Sequence, residues 1–387
     1  MWAGLAVVLT AFDGSVLVLA LPAIAADFQA RTPALSNLGS VLALGVLGAL
    51  PLSTLADRFG RRRLIAVGVF GFSVANFLSG LAWSLESLAL LRLIAVCFEA
   101  LVGGVATALV VEEAPPRMRG QAVSVLAVLG GLGTGITVVA YPLLAPHWRW
   151  LFLVGGLGVL AAPFIWFRLP EGRAWLGASG ATGATARVSG SALRLLFQPA
   201  WRRRVVVIAS MSALLAVLLE PAGLLYTVYA TEVLLLSPIA ISSLIFVSGV
   251  AGGVSYLAGG YLSDRFGRRG PAIVLTIATA VAASLSFATA RVGFFAGNVL
   301  WSVFASASSP VFGAWTAELF PTRARATAEA TTAVAAAVGS VVGLQLVGLI
   351  APSIGLGHAI ELGGVAAVVG AGLLLLLPET KQAPLPD

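Results

Sequence analysis

The chain has 387 residues, of which 59% are hydrophobic and only 10% charged, with a formal net charge of +7. Soluble domains carry about a quarter charged residues, and no soluble fold has a core able to hide this much apolar surface, so composition excludes a soluble enzyme or binding module. The positive charge sits in short segments between apolar runs rather than on one basic face, which excludes a nucleic-acid partner, and the lone Cys97 with the distant His147 and His358 offers no disulfide, metal site or cofactor ligand set.

Twelve apolar runs follow one another, each near the roughly 20 residues an α-helix needs to cross hydrocarbon. The first, residues 4–26, lacks a basic leading segment and further spans follow at once, so it is expected to be retained as a helix rather than removed as a signal peptide. Spans near 34–56, 64–82, 87–112, 120–142 and 150–169 complete a first set. The stretch 170–204 is small and polar at its centre (GASGATGATARVSGSA), cannot span and has little to pack, and so reads as a cytoplasmic linker. Trp201 to Arg204 (WRRR) suits an interfacial anchor at the entry to the next span. A second set falls near 205–229, 239–262, 271–290, 293–318, 326–350 and 357–377. The predicted architecture is an all-α membrane protein of twelve transmembrane helices in two six-helix bundles, 1–169 and 205–387 (the latter with a short tail), joined by 170–204.

The basic residues set the orientation. Of the 23 lysines and arginines, 19 lie in the even-numbered connections, the linker and the tail, and only Arg31, Arg92, Arg149 and Arg291 fall elsewhere. By the positive-inside rule, both termini and all even connections are expected in the cytoplasm of a multi-pass cell-membrane protein.

Two signatures repeat at nearly one offset. Asp57-Arg58-Phe59-Gly60-Arg61-Arg62 between the second and third spans returns as Asp264-Arg265-Phe266-Gly267-Arg268-Arg269, 207 residues later. The E-x-x-P-x-R-x-R that ends the fourth span, Glu112 to Arg119, returns as Glu318 to Arg325, 206 residues later. Matching loops at matching offsets imply a duplicated six-helix unit, and an even helix count gives the two copies the same orientation in the membrane.

These residues resemble the major facilitator superfamily. Arg92, twenty residues before Glu112, and the Pro378-Glu379-Thr380-Lys381 ending are similar to its sugar-porter and metabolite–proton symporter branches. Ser53 departs from the glycine that usually opens the first loop motif, whereas the second copy keeps Gly260, and Val96 replaces a small residue. The Gly-Pro-Gly signature of many drug antiporters is missing from the fifth span: the glycines lie at 130–135 and the nearest proline is Pro142. The resemblance implies that the first, fourth, seventh and tenth helices line a central cavity. It also implies that charge clusters built from Asp57, Arg58, Gly60, Arg61, Arg62, Glu112 and Arg119, and from Asp264, Arg265, Gly267, Arg268, Arg269, Glu318 and Arg325, gate the conformational change. The aspartates at these helix ends are expected to cap a neighbouring helix N-terminus and pair with arginine.

Acids inside hydrocarbon are costly, about 2.5–3.5 kcal/mol at mid-helix on insertion scales, and therefore informative. Asp13, Glu99 and Glu220 qualify. Asp13 and Glu99 are assigned to proton coupling. Arg92 shares a helix face with Glu99 seven residues on, and three readings stay open for it: a contact to an anionic substrate, a modulator of Glu99, or an anchor at the outer helix end. Glu220, Tyr226, Tyr229, Asn298, Trp301 and Gln345 are further candidates for substrate contact. The glycine pairs Gly103-Gly104 and Gly252-Gly253 are expected to allow close helix contact.

The expected function is secondary active transport of a small polar organic metabolite by alternating access, as proton symport by a monomer. Antiport efflux of drugs or other cationic compounds is the alternative, favoured by three embedded acids against one embedded arginine. ATP-driven transport is disfavoured because no phosphate-binding G-x-x-x-x-G-K-[ST] loop is present. Enzymatic chemistry is disfavoured because neither histidine lies in mid-span.

Overall fold

The computed structural model describes residues 2–115, 118–171, 196–288, 290–321 and 324–381, without the side chains of 49–58, 119, 120 and 326. Most of the linker expected at 170–204, and the side chains of Asp57, Arg58 and Arg119, therefore lie outside the described residues.

The described residues are helical almost throughout. The first set comprises α1 (Trp2–Asp27), α2 (Thr32–Phe59), α3 (Arg61–Ser79), α4 (Leu85–Glu113), α5 (Arg119–Leu144), α6 (Trp148–Gly156) and α7 (Ala161–Arg168). A 3₁₀ stretch, Leu157–Leu160, joins α6 to α7 into one span. The second set comprises α8 (Pro199–Val228), α9 (Pro238–Phe266), α10 (Arg269–Ala288), α11 (Arg291–Leu319), α12 (Arg325–Ile354), α13 (Leu356–Glu361) and α14 (Gly363–Leu373). Among the described residues, ten helical stretches are long and apolar enough to cross a membrane. One of them, Gln121–Arg168, holds the fifth and sixth spans together, and α2 supplies one more, which gives the twelve.

Local chemistry places the ends. Ser84 and Ser87 exchange side-chain and backbone hydrogen bonds at 3.1 Å in a capping box that starts α4. Proline opens α8 and α9, where its missing N–H costs nothing.

Contacts divide the chain into two units. The first holds 1–31 and 41–186; the second holds 32–40 and 187–387, so the opening turns of α2 belong with the second. Each unit has its own apolar core. In the first, Leu64, Val69 and Phe72 of α3 pack with Leu101, Val105 and Leu109 of α4 and Ile165 of α7. In the second, Ile208 and Met211 of α8 pack with Val311 and Trp315 of α11 and Leu374. The duplication extends to the packing: α1 lies on α5 and α3 on α4, as α8 lies on α12 and α10 on α11.

The tightest glycine contacts are not all where the sequence suggested. A Cβ on Gly103, Gly104 or Gly253 would meet nothing within 4 Å, and only Gly252 of that group is crowded, by Ser302 and Ser306. Backbones meet instead at Gly133 of α5, against the Val8 carbonyl of α1, and at Gly339 of α12, against the Ala213 carbonyl of α8. These two glycines are themselves 206 residues apart.

Candidate transport site and repeated charged hooks

Midway along α1 and α4, three charged side chains meet in the apolar interior of the first unit. Arg92 is 1% exposed and fills the space between two carboxyls. Its Nη1 donates to Asp13 Oδ1 at 3.0 Å and to Asn76 Oδ1 of α3 at 3.1 Å, and its Nη2 donates to Glu99 Oε1 at 3.0 Å. The Phe152 ring of α6 covers the guanidinium, with its centroid 5.6 Å from Cζ. Asp13 Oδ2 is buried with no hydrogen-bond partner among the described residues. Asp13 is sealed at 1% exposure, whereas Glu99 keeps 11% of its side chain accessible. Of the readings open for Arg92, this geometry fits an internal partner of two acids, since buried charge is tolerated only when paired.

The other candidates scatter through the second unit. Glu220 of α8 is accessible although protein surrounds most of its carboxyl, and it accepts a long 3.5 Å hydrogen bond from Ser340 Oγ of α12. Tyr229 is committed elsewhere: its hydroxyl donates to the Phe287 carbonyl at 2.9 Å, and its ring packs on Phe287 and Phe294. Gln345 donates at 2.9 Å to both Asn37 Oδ1 and Ser40 Oγ in the opening turns of α2. Asn298 is 9% exposed, and its Nδ2 has no partner among the described residues. Tyr226 and Trp301 are half-buried. The structure thus joins Asp13 and Glu99 through Arg92 in the first unit, and the remaining six candidates belong to the second.

The repeated loops form two matching hooks, one in each unit. In the first, Arg61 pairs with Glu112 at 2.6 Å, tying α3 to the end of α4. Glu171, just past α7, accepts from the Arg62 backbone N–H at 3.0 Å and so caps the start of α3. In the second, Arg268 pairs with Glu318 at 2.9 Å and with Asp264 at 2.8 Å, while Thr380 Oγ1 donates to Glu318 at 2.5 Å. Glu379 accepts from the backbone N–H groups of Arg268 and Arg269 at 2.8 and 3.0 Å, capping α10. Lys381 Nζ reaches the Arg265 carbonyl at 2.7 Å, and Arg269 Nη2 reaches that of Leu375 at 2.6 Å. Both caps rely on glycine. Gly60 and Gly267 have φ of 90° and 92°, a region that side chains avoid, and a Cβ on either would strike the capping carboxylate.

The glutamates after the sixth and twelfth spans cap α3 and α10, and of the two aspartates expected to cap, only Asp264 has a described side chain. Asp264 pairs with Arg268 on its own helix end and is 79% exposed. Arg325 Nε donates to the Phe320 carbonyl at 3.2 Å. The signal for the caps was present in the chain: Pro170-Glu171 and Pro378-Glu379 repeat at an offset of 208, in step with the other two signatures. Burial pushes the Glu379 carboxyl up, but the N–H groups of Arg268, Lys381, Arg269 and Thr380 outweigh it and hold the group below its ordinary value.

A duplicated twelve-helix bundle with charged hooks at the same position in each copy, and one buried ionic cluster, defines a membrane transporter rather than an enzyme. The chain belongs to the Major Facilitator Superfamily, whose family model matches residues 3–235 and again 222–387. It is 26% identical to a probable 4-methylmuconolactone transporter of Cupriavidus pinatubonensis, over 96% of this chain and 88% of that one. It is 34% identical to a puromycin resistance protein of Streptomyces alboniger, over 42% of this chain and 34% of that one. Its fold is shared with the crystal structure of a bacterial homologue of the human lysosomal transporter Spinster, at a TM-score of 0.79 and 18% identity over 97% of this chain and 95% of the other.

Proposed function

We propose that this transporter moves a small polar organic metabolite by alternating access, coupled to protons in symport, with Asp13 and Glu99 as the proton carriers. The observation that carries the reading is one guanidinium shared by two buried carboxyls. Fully ionised, that cluster holds a net charge of −1 in an apolar interior, where an uncompensated ion costs several kcal/mol. One bound proton neutralises it, and a protonated carboxyl gains a donor that two carboxylates lack. The partial accessibility of Glu99 gives that proton a way in and out. Arg92 acts inside this cluster rather than on the substrate.

Substrate contact falls to the accessible Glu220 and to Tyr226, Trp301 and Asn298. Tyr229 and Gln345, whose polar atoms are already engaged, shape the second unit instead. Each hook joins three spans of its own half, which suits halves that move as bodies while the hooks stabilise one state. The protein works as a monomer with both termini in the cytoplasm. The full-length likeness to a metabolite transporter supports this reading. A second reading, proton-antiport efflux of drugs or other cationic compounds, is favoured by the accessible acid Glu220 and by the partial match to the puromycin resistance protein.

Proteoliposomes with an imposed pH gradient separate the two. Small organic acids, lactones and sugars should accumulate when protons flow inward with them, and Asp13→Asn or Glu99→Gln should abolish gradient-driven accumulation while sparing exchange. Expulsion of lipophilic cations against an inward proton flow would establish antiport instead. Unchanged accumulation in both variants would remove the two acids from coupling.

A further inference from the structure

Asn76 belongs to none of the motifs, yet it touches the buried cluster directly. It lies on α3, is 0% exposed, and its Oδ1 takes the same Arg92 Nη1 that bonds Asp13. Its Nδ2 is buried without a partner among the described residues, an arrangement that normally counts against an amide in an apolar interior. The neighbouring helix makes room for it: a Cβ on Gly155 of α6 would collide with Asn76 Nδ2. A side chain of this shape filling space alone would be apolar. What the amide adds is one neutral acceptor aimed at the guanidinium.

We infer that Asn76 is a positioning residue for proton binding, holding Arg92 between Asp13 and Glu99 through an acceptor that does not itself titrate. The inference rests on the proton-coupling reading of that cluster. When Asp13 takes up a proton, its grip on Nη1 weakens, and the Asn76 oxygen keeps the guanidinium in register for both acids. Because Asn76 is neutral, the cluster's excess stays at one carboxylate. The titratable and charged groups facing Arg92 are Asp13 from α1 and Glu99 from its own helix. From α3 comes only the neutral Asn76, from α6 only the Phe152 ring, and α5 sends no charged or titratable side chain to the cluster among the described residues.

The test needs no substrate, since the proton is the probe. Infrared titration of the full chain in lipid follows the protonated-carboxyl band, assigned by its loss in Asp13→Asn and Glu99→Gln. Asn76→Leu loosens Arg92 and should move the titration midpoint upward by about one pH unit, a tenfold gain in proton affinity. Its thermal midpoint should hold or rise, because an unsatisfied amide is removed. Gly155→Ala, which pushes the amide aside, should shift the midpoint in the same direction. Asn76→Asp, nearly identical in shape, should add a second titrating proton. A midpoint unmoved in folded Asn76→Leu and Gly155→Ala overturns the role of Asn76 while leaving the proton site intact. A wild-type cluster that shows no titrating carboxyl overturns both.

Discussion

At the scale of single residues, the two capping glutamates do the same work in different surroundings. Glu171 keeps 8% of its side chain accessible, whereas Glu379 is exposed, so water screens the second and barely reaches the first. Losing the Glu171 carboxylate should cost about 1–3 kcal/mol, and losing that of Glu379 at most about 1 kcal/mol. The Glu379 contribution also depends on pH. Its folded value lies below the ordinary 4.5 because backbone N–H groups favour the ionised form over the opposing effect of burial. The stabilisation is therefore complete above about 4.5 and disappears as pH falls through the lower folded value. The protection factors of the Arg268, Arg269 and Lys381 amides, each taken against intrinsic exchange at the same pH, should fall on acidification below pH 4.5 in the wild type. In Glu379→Gln they should already be low at neutral pH and change little on acidification; identical protection in both proteins would show that the cap is not formed. The capping role was legible in principle, since Pro-Glu repeats at the common offset. A two-residue match stands out only once the structure shows both copies on the same atoms.

At the scale of helices, close approach decides which small residues matter. Hydrophobic runs, proline starts and the serine box mark where helices lie, because those signals depend on local chemistry alone. Which face meets a neighbour depends on how each helix is rotated, and a strongly apolar helix gives little periodicity from which to read that. Gly103-Gly104 therefore looked like a contact and is not one, while Gly133 and Gly339, spaced by the repeat, carry the α1–α5 and α8–α12 crossings. The consequence is measurable. Gly133→Val and Gly339→Val would drive a side chain into a backbone carbonyl and should each cost about 1–3 kcal/mol, seen as a lower thermal midpoint in detergent. Gly103→Ala, with open space around its Cβ, should stay within about 0.5 kcal/mol of wild type. Equal losses at all three positions would contradict the packing described.

At the scale of the molecule, duplication is what made the chain readable. Each half repeats the hook, the cap and the helix pairing, so any one repeated signature could predict where the others fall. The buried cluster breaks the symmetry. Asp13, Arg92 and Glu99 gather in the first unit, while the one embedded acid of the second, Glu220, stays accessible with a single long contact. The three acids could be picked out because charge in hydrocarbon is rare. That two of them would share Arg92 with Asn76 depends on how α1, α3 and α4 pack, which no linear spacing encodes. Orientation rests on a different kind of evidence, since 19 of 23 basic residues mark one side and each resists transfer across the membrane. Trp83, in the turn between α3 and α4, is 82% exposed, and the proposed orientation puts it on the outer side and Lys381 on the inner. Cys97 is half-buried with its Sγ donating to the Gly45 carbonyl at 3.1 Å, so Cys97→Ser supplies a clean background. In intact cells an impermeant maleimide should label Trp83→Cys at once and Lys381→Cys only after permeabilisation. The reverse pattern would invert the protein in the membrane and put the hooks on the outer face.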